Sequence, residues 1–351
     1  MAEYSVLWIL AMILVAFAGG AFGSALGALP AFIFTGFIII VGEAASILHT
    51  DIVTLLDGES VKFSADYITS SIGFGPVFGP HVSFAAGTAA SAYAAKKGYM
   101  DTAHPYFDAK NIAYALGPKP DVMFVGGMFG ILGFGITQIS AAFSLPWDPI
   151  AMGVVLSAVV HRLVFRYPMI GEHKNGLFNM KPFEMGLHRE GSEGANIETN
   201  RWMVEPWLPH QYKWNEVAFL GLIVGMLAAF ITYKTGSVFL PFGISAATLV
   251  FLNCGVENTP VTHHMSLIAS AIVVVLTGGE YSQVPLYLMI MAGGIAGVVA
   301  ALTGEVIQRI FFAHSDTHFD PPAAAIVVCT FVIALLAMMG VFPSSAWIPH
   351  P

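Results

Sequence analysis

Charged side chains are scarce in this chain. Of its 351 residues, 10% are Asp, Glu, Lys or Arg, whereas 56% are hydrophobic. A soluble domain carries about 25% charged residues, so this composition excludes an ordinary soluble protein. The repeated long apolar runs predict an integral membrane protein, because a helix of about 20 apolar residues spans a bilayer. The lipid bilayer is therefore the first partner that we expect.

Cysteine is almost absent, and positive charge is in deficit. The two cysteines, Cys254 and Cys329, lie in apolar runs, which argues against a disulfide framework or a thiolate metal site. His263, His314 and His318 have no short ligand spacing to a cysteine or glutamate, so we predict no metal site. The glycine-rich stretches do not form a Walker or dinucleotide-binding motif in its usual structural context, so we also predict no cofactor. The formal net charge of −8 argues against a nucleic-acid partner.

Ten apolar runs predict an all-α polytopic membrane protein with about ten transmembrane helices. The third run is interrupted, because residues 68–80 (ITSSIGFGPVFGP) carry several Gly and Pro. We predict a re-entrant or unwound segment there, which is tolerated only where protein or a water-filled cavity satisfies its backbone. The N-terminal run lacks the positive region of a signal peptide and is taken as the first span. The predicted spans lie near 4–24, 28–44, 79–95, 122–142, 149–166, 216–233, 237–254, 262–279, 284–312 and 321–341.

The distribution of Lys and Arg predicts the orientation. With ten spans, the side that holds both termini carries only Lys62 and Lys234, and the other side carries the remaining 12 of the 14 Lys and Arg. Since positive loops stay cytoplasmic, we predict a multi-pass protein of the cell (inner) membrane with both termini outside the cytoplasm. The predicted cytoplasmic loops lie near 96–121, 167–215, 255–261 and 313–320.

Landmark residues recur in the same order in the two halves of the chain. Five spans in each half mean that the second copy enters the membrane from the opposite face, which predicts two inverted five-helix repeats with a site between them. The repeats are residues 1–166 and 216–351, joined by a cytoplasmic linker, 167–215. The matched landmarks are Leu29-Pro30 and Leu240-Pro241, His81-Val82-Ser83 and His264-Met265-Ser266, Gly126-Gly127-x-x-Gly130 and Gly293-Gly294-x-x-Gly297, and Asp148-Pro149 and Asp320-Pro321.

Two Asp-Pro pairs, Asp148-Pro149 and Asp320-Pro321, open long apolar runs. Asp accepts from free backbone N–H groups and Pro at the first helical position needs no donor, so each pair predicts a helix start. One interpretation is simple capping at the membrane surface. The other is a helix start inside the membrane that aims free N–H groups and a positive dipole end at a substrate. Asp320 would then bind a cation or proton, or shield the site from anions.

The residues that repeat between the halves are the candidate substrate path. His81 and His264 are either hydrogen-bonded packing residues or a pore-lining, proton-handling pair. An inverted repeat places the path near the bilayer midplane. The predicted path residues are Pro30, His81, Ser83 and Asp148 from the first half, and Pro241, His264, Ser266 and Asp320 from the second.

Three segments of the second half resemble the HPP family of integral membrane proteins. They are LPFGISAATLVF (240–251), THHMSLIASAIVV (262–274) and HFDPPAAAIVV (318–328). That family shows an FGASA-like span, a histidine span and a His-Pro-Pro-Ala-Gly-Ala signature opening its last span. Here the signature begins with Asp320 in place of histidine and has Ala324 in place of glycine. Because some members of the family are associated with nitrite transport, the resemblance implies a small-solute permease.

Three classes of function follow from these patterns. The first is a transporter or channel for a small polar solute or ion, with its path between the repeats. The second is a non-transporting structural or partner-binding subunit of a larger membrane assembly, which the long 167–215 linker favours. That linker, or the glycine-rich helix faces, could also hold a homo-oligomer together. The third is an intramembrane enzyme, which we do not expect, because the sequence contains no visible nucleophile–base pair.

Overall fold

The computed structural model describes residues 6–55, 67–102, 105–173, 176–189 and 201–351, and these residues form an all-helical protein. Ten helices of fourteen residues or more lie within those ranges. They are α1 Val6–Leu26, α2 Ala28–Leu55, α3 Ser83–Lys96, α4 Pro120–Ala142, α5 Pro149–Val164, α6 Trp214–Thr235, α7 Leu240–Asn253, α8 His263–Thr277, α9 Leu286–Ile307 and α10 Pro321–Met338.

Six of the described helices are long and apolar enough to cross a membrane. They are α1, α2, α4, α6, α9 with the π-helical turn that follows it, and α10. The helices α5, α7 and α8 are apolar but have only 16, 14 and 15 residues. The membrane class is therefore shown by six helices, and the count of ten spans stays a prediction.

The chain is unwound before α3, as its Gly and Pro content predicts. Ile68–Gly73 forms a π-helix, and turns continue to α3. The unwound segment lies along α2, where Thr69 Oγ1 donates to the Glu43 carboxylate at 2.8 Å and Thr35 Oγ1 donates to the Phe78 carbonyl at 2.5 Å. Protein groups thus satisfy backbone and side-chain polar atoms that lipid could not.

Glycines bring α1 against α4 and α6 against α9. A Cβ added to Gly130 would lie 2.9 Å from the Cα of Gly20, and one added to Gly297 would lie 2.9 Å from the Cα of Gly225. The backbones therefore touch at these crossings, which is how small residues act in membrane helix packing. Gly135, further along α4, has no atom within 4 Å of its Cβ position and takes no part in this crossing.

The first five helices and the last five pack by the same set of pairs. In the first set, α1 contacts α2, α3 and α4, α3 contacts α2, α4 and α5, and α4 contacts α5. In the second set, α6 contacts α7, α8 and α9, α8 contacts α7, α9 and α10, and α9 contacts α10. Contacts of α2 with α7 and of α5 with α10 join the two sets.

Loop segments cover one end of the bundle and form what we call the cap, the described residues of 97–119, 165–213, 254–262 and 313–320. Lys110 donates to Glu205 in the cap, and Arg201 donates to Asp316 at 2.8 Å. The amide of Gln211 donates to the Val261 carbonyl at 2.9 Å. These four segments are the loops that the sequence places together on the positively charged side, and the linker is a folded part of the cap over its described residues.

Candidate functional site

A cavity of about 1070 Å³ lies between the two sets of five helices. Its wall combines residues of α2, α3, α4 and α5 with residues of α7, α8 and α10, and with part of the cap. At the cap end it reaches the exposed loop 255–258. At the opposite end it reaches Trp347 and Pro349, which are half-buried. A volume of this size accommodates a small organic molecule together with water.

Both Asp-Pro helix starts lie in the wall of this cavity. Asp148 accepts from the Ala151 N–H at 2.7 Å and from Trp347 Nε1 at 2.8 Å. Its own N–H donates to Thr330 Oγ1 at 3.0 Å, in the middle of α10. Because Thr330 lies ten residues after Asp320, the two helix starts are separated by about 15 Å along α10. The structure therefore brings the two predicted aspartates to one cavity.

The start of α10 offers no free N–H group to an anion. At α10, Pro321 and Pro322 have no N–H, and Asp320 accepts from Ala323 N–H through Oδ2 at 2.7 Å and from Ala324 N–H through its carbonyl at 3.2 Å. At α5, Asp148 caps Ala151 in the same way. Asp320 therefore consumes the first-turn donors of α10, and each helix start presents a carboxylate to the cavity.

The predicted residues at the starts of α2 and α7 do not line the cavity. Pro30 and Pro241 occupy the first turns of these helices, but the cavity wall is formed by their neighbours Leu29 and Phe242. Ser83 donates to the Phe78 carbonyl at 3.1 Å, which ties the start of α3 to the unwound segment.

The predicted histidine pair is also outside the cavity wall. His81 is buried between α4 and α5, where a Cβ on Gly153 would lie 2.7 Å from the His81 Cβ. His264 faces α9, since a Cβ on Gly304 would lie 3.0 Å from its Nε2. Ser266 donates to the His263 carbonyl at 3.0 Å, within α8. These contacts match the packing interpretation of the two histidines.

Two other histidines line the cavity next to Asp320. His318 Nε2 lies 3.3 Å from Asp320 Oδ1, and the ring of His263 lies in the same wall. Both histidines are buried, and neither Nδ1 atom has a hydrogen-bond partner among the described residues. Both residues are neighbours of predicted path residues in the sequence: His263 directly precedes His264, and His318 stands two residues before Asp320.

Four buried phenylalanines surround this cluster, and together with His263, His318 and Asp320 we call them the aromatic box. The ring of Phe32 lies 4.8 Å from the ring of His263, and Phe312 lies 5.3 Å from that of His318. All seven residues line the cavity. The phenylalanines are Phe32, Phe84, Phe242 and Phe312.

A buried ion-pair network forms the cap end of the cavity. The Lys110 side chain lines the cavity, donates to Glu205 and to the Phe312 carbonyl at 2.8 Å, and lies 4.6 Å from the centre of the Phe312 ring. Arg201 Nε donates to Glu205 Oε1 at 2.5 Å. Burial lowers the pKa of Lys110 to about 7, against the opposing effect of Glu205. Burial would raise the pKa of Glu205, but the charges of Lys110 and Arg201 bring it below its usual value.

Arg162, at the end of α5, fixes the loop that leads into α10. Its side chain is fully buried and makes five hydrogen bonds. Its partners are Thr317 Oγ1 at 2.9 Å, the Phe311 carbonyl and Ser315 Oγ at 2.8 Å, the Thr317 carbonyl at 3.0 Å and the Met169 carbonyl. Since His318 and Asp320 follow this loop directly, Arg162 sets the position of both.

Comparison with known proteins gives one result. The model of a family of unknown function, DUF7973, matches residues 1–351. Neither the curated proteins nor the solved structures contain a match to the chain. The function therefore has to be inferred from the geometry of the cavity.

Proposed function

We propose that this chain, which belongs to the DUF7973 family of unknown function, moves a small polar solute or ion across a membrane. The observation that carries the proposal is the cavity of about 1070 Å³ between the two sets of helices, with both Asp-Pro helix starts in its wall. Charged groups are rare inside membrane proteins and usually mark the path of a substrate or ion. Here two carboxylates face one space.

The fold that we propose is a pair of inverted five-helix repeats, with all ten helices crossing the membrane. The identical packing pairs within the two sets support it, as does the junction of the sets through equivalent helices, α2 with α7 and α5 with α10. The short length of α5 is compatible with this fold because α5 begins inside the bundle. Thr137, which lies five residues before the end of α4, donates from its Oγ1 to the Pro149 carbonyl at 3.1 Å. The resemblance to the HPP family points to the same small-solute class.

A tryptophan placed in the cavity should block flux. Ile326 lines the cavity, whereas Val328 lies two residues later on the same helix, is 43% exposed and points away from it. We expect Ile326→Trp to reduce solute flux into proteoliposomes about tenfold or more, since the added bulk fills the path, and Val328→Trp to leave flux near the wild-type rate. Radiolabelled-solute uptake, with both variants reconstituted at equal amounts, measures this.

The paired variants also separate the transport proposal from its alternative. Equal flux through wild type and Ile326→Trp would exclude the cavity as the path. A complete lack of flux, with stoichiometric partners co-purifying, would instead favour a non-transporting subunit of a membrane assembly. Elution of both variants at the wild-type volume in size-exclusion chromatography shows that the variant proteins are folded.

The orientation that we propose puts the cap in the cytoplasm and both termini outside, since the cap carries most of the Lys and Arg. Cys254 is exposed at the cap and Cys329 is buried, so thiol labelling reports on one position. A membrane-impermeant maleimide should leave Cys254 unlabelled in intact cells and label it after permeabilisation. In a Cys254→Ser background, Glu280→Cys at the opposite end should be labelled in intact cells. The reverse pattern would invert the orientation.

A further inference from the structure

We propose that the aromatic box binds an ammonium-type cation, such as ammonium or a small alkylammonium, with Asp320 as its counter-ion. The inference rests on the proposed function, because it names the chemical class of the solute. It begins from the polarity of the cavity wall. The acidic lining residues are Asp148, Glu257 and Asp320, whereas Lys110 is the one Lys or Arg among the described lining residues. Since Lys110 is paired with Glu205, the cavity as a whole favours positive charge.

The helix start at the box opposes anions as well. The two N–H groups available in the first turn of α10 are bonded to Asp320, and Pro321 and Pro322 supply none. The usual reason for anions to bind at a helix N-terminus, free donors next to a positive dipole end, is therefore missing here. An anion entering the box would meet the Asp320 carboxylate without compensating donors.

The tautomer of His318 leaves the box with an unsatisfied acceptor. A hydrogen on His318 Nε2 makes the contact with Asp320 Oδ1 favourable, which leaves Nδ1 of a neutral ring with a lone pair. That Nδ1 atom and Nδ1 of His263 have no partner among the described residues, although both rings are buried. A ligand that complements this arrangement carries several N–H donors and a positive charge, and an ammonium group has both.

The aromatic rings select among cations. A cation close to a phenylalanine ring is stabilised by the ring quadrupole. The box has four such rings, of which Phe312 already lies beside the Lys110 ammonium, so Phe32, Phe84 and Phe242 remain for a ligand. Calcium and magnesium require six or more oxygen ligands, but the side-chain oxygens of the box are those of Asp320 alone. An alkylammonium ion instead places its N–H groups on Asp320 and the imidazoles, and its methyl groups against the rings.

Equilibrium binding of radiolabelled methylammonium to the full-length protein in nanodiscs tests the assignment. Asp320→Asn keeps the helix cap, because asparagine also accepts from the Ala323 N–H, but removes the charge. We expect saturable binding by the wild type and affinity about tenfold or more weaker in Asp320→Asn, the usual effect of losing a charge-assisted hydrogen bond. The matched control is Glu280→Gln, an exposed acid at the far end of the bundle, and it should bind as the wild type does.

A second variant addresses the rings without touching the charge. Phe32→Leu keeps an apolar side chain of similar length and should weaken methylammonium binding about fivefold, which is within the range of cation–π interactions. Equal affinity of wild type, Asp320→Asn and Phe32→Leu would overturn the proposal. Saturable binding of nitrite that methylammonium does not displace would overturn it as well.

Uptake into proteoliposomes separates this inference from the proposed function. Methylammonium, urea and nitrite are compared as cationic, neutral and anionic probes. Uptake of methylammonium that is lost in Asp320→Asn supports both proposals. Uptake of urea or nitrite alone overturns the cation assignment and leaves transport standing, whereas methylammonium binding at Asp320 without uptake of any probe supports the site and overturns transport.

Discussion

Replacing Glu205 by glutamine should destabilise the protein by about 3–5 kcal/mol, the usual effect of removing one partner from a buried ion pair. The Glu205 side chain is fully buried, and it faces Lys110, which is 1% exposed, and Arg201, which is 6% exposed. Glutamine keeps the shape but leaves the buried Lys110 without its counter-charge and leaves Arg201 with Asp316 as its remaining carboxylate partner. The apparent melting temperature of purified protein in detergent measures the loss.

The matched control is Glu216→Gln. Glu216 also pairs with a lysine, Lys213 at 3.2 Å, but both side chains are about half exposed. An ion pair in water contributes between about 0 and 1 kcal/mol, so this variant should melt within a degree or two of the wild type. Equal destabilisation by the two substitutions would contradict the role assigned to burial.

The difference in stability between wild type and Glu205→Gln should shrink at acid pH. The charges of Lys110 and Arg201 overcome burial and hold the pKa of Glu205 below its ordinary value of 4.5. A carboxyl whose pKa is lowered on folding contributes stability above the unfolded pKa and loses it as the pH falls through the folded pKa. We therefore expect the difference in melting temperature between wild type and Glu205→Gln to shrink as the pH falls below 4.5.

Gly130→Leu should prevent most of the protein from folding. The added Cβ would lie 2.9 Å from the Cα of Gly20, and backbone of α1 cannot move aside as a flexible side chain would. Overpacking of a tight site costs about 1–3 kcal/mol where side chains can adjust, and more where they cannot. The measurement is the yield of monodisperse protein in fluorescence-detected size-exclusion chromatography.

Gly135→Leu serves as the control on the same helix. Its Cβ position has no atom within 4 Å, so leucine there extends into open space and also favours the helix. We expect a yield at or above that of the wild type. If Gly135→Leu lowered the yield as far as Gly130→Leu, the loss would come from removing any glycine of α4 and not from the crossing with α1.

Local chemistry made the helix starts at Asp148 and Asp320 predictable. An aspartate followed by proline determines its own cap, so the structure matches the sequence at both positions. Local chemistry did not determine which donors would stay free. The donors that stay free depend on the N–H groups around Asp320, where the second proline, Pro322, removes the last N–H group that a ligand could reach.

The residues that line the cavity were harder to predict than the elements that carry them. Adjacent residues on a helix point about 100° apart, so choosing His264 over His263, or Pro30 over Leu29, turns the prediction away from the cavity wall. A repeat identifies matching positions but not the direction in which each one faces. For His263 and His264, the packing of α8 against α9 decides which of the two faces the cavity.

The cap network was beyond sequence reasoning for a different reason. Lys110 and Glu205 are 95 residues apart, and each stands among other charged residues in a long loop. Nothing local distinguishes the pair from solvated charges. Their burial follows from the way four loops fold over one end of the bundle, which is a property of the tertiary structure.

The five hydrogen bonds of Arg162 restrict how such a bundle could change shape. This arginine belongs to the first set of helices, yet four of its bonds hold the loop at the entrance to the last helix of the second. At the cap end, these hydrogen bonds therefore hold the two sets of helices together through α5 and α10. A rotation of one set of helices against the other would have to pivot about the Arg162 contacts and slide along the contact of α2 with α7. The two ends of the cavity are therefore unequally free to move.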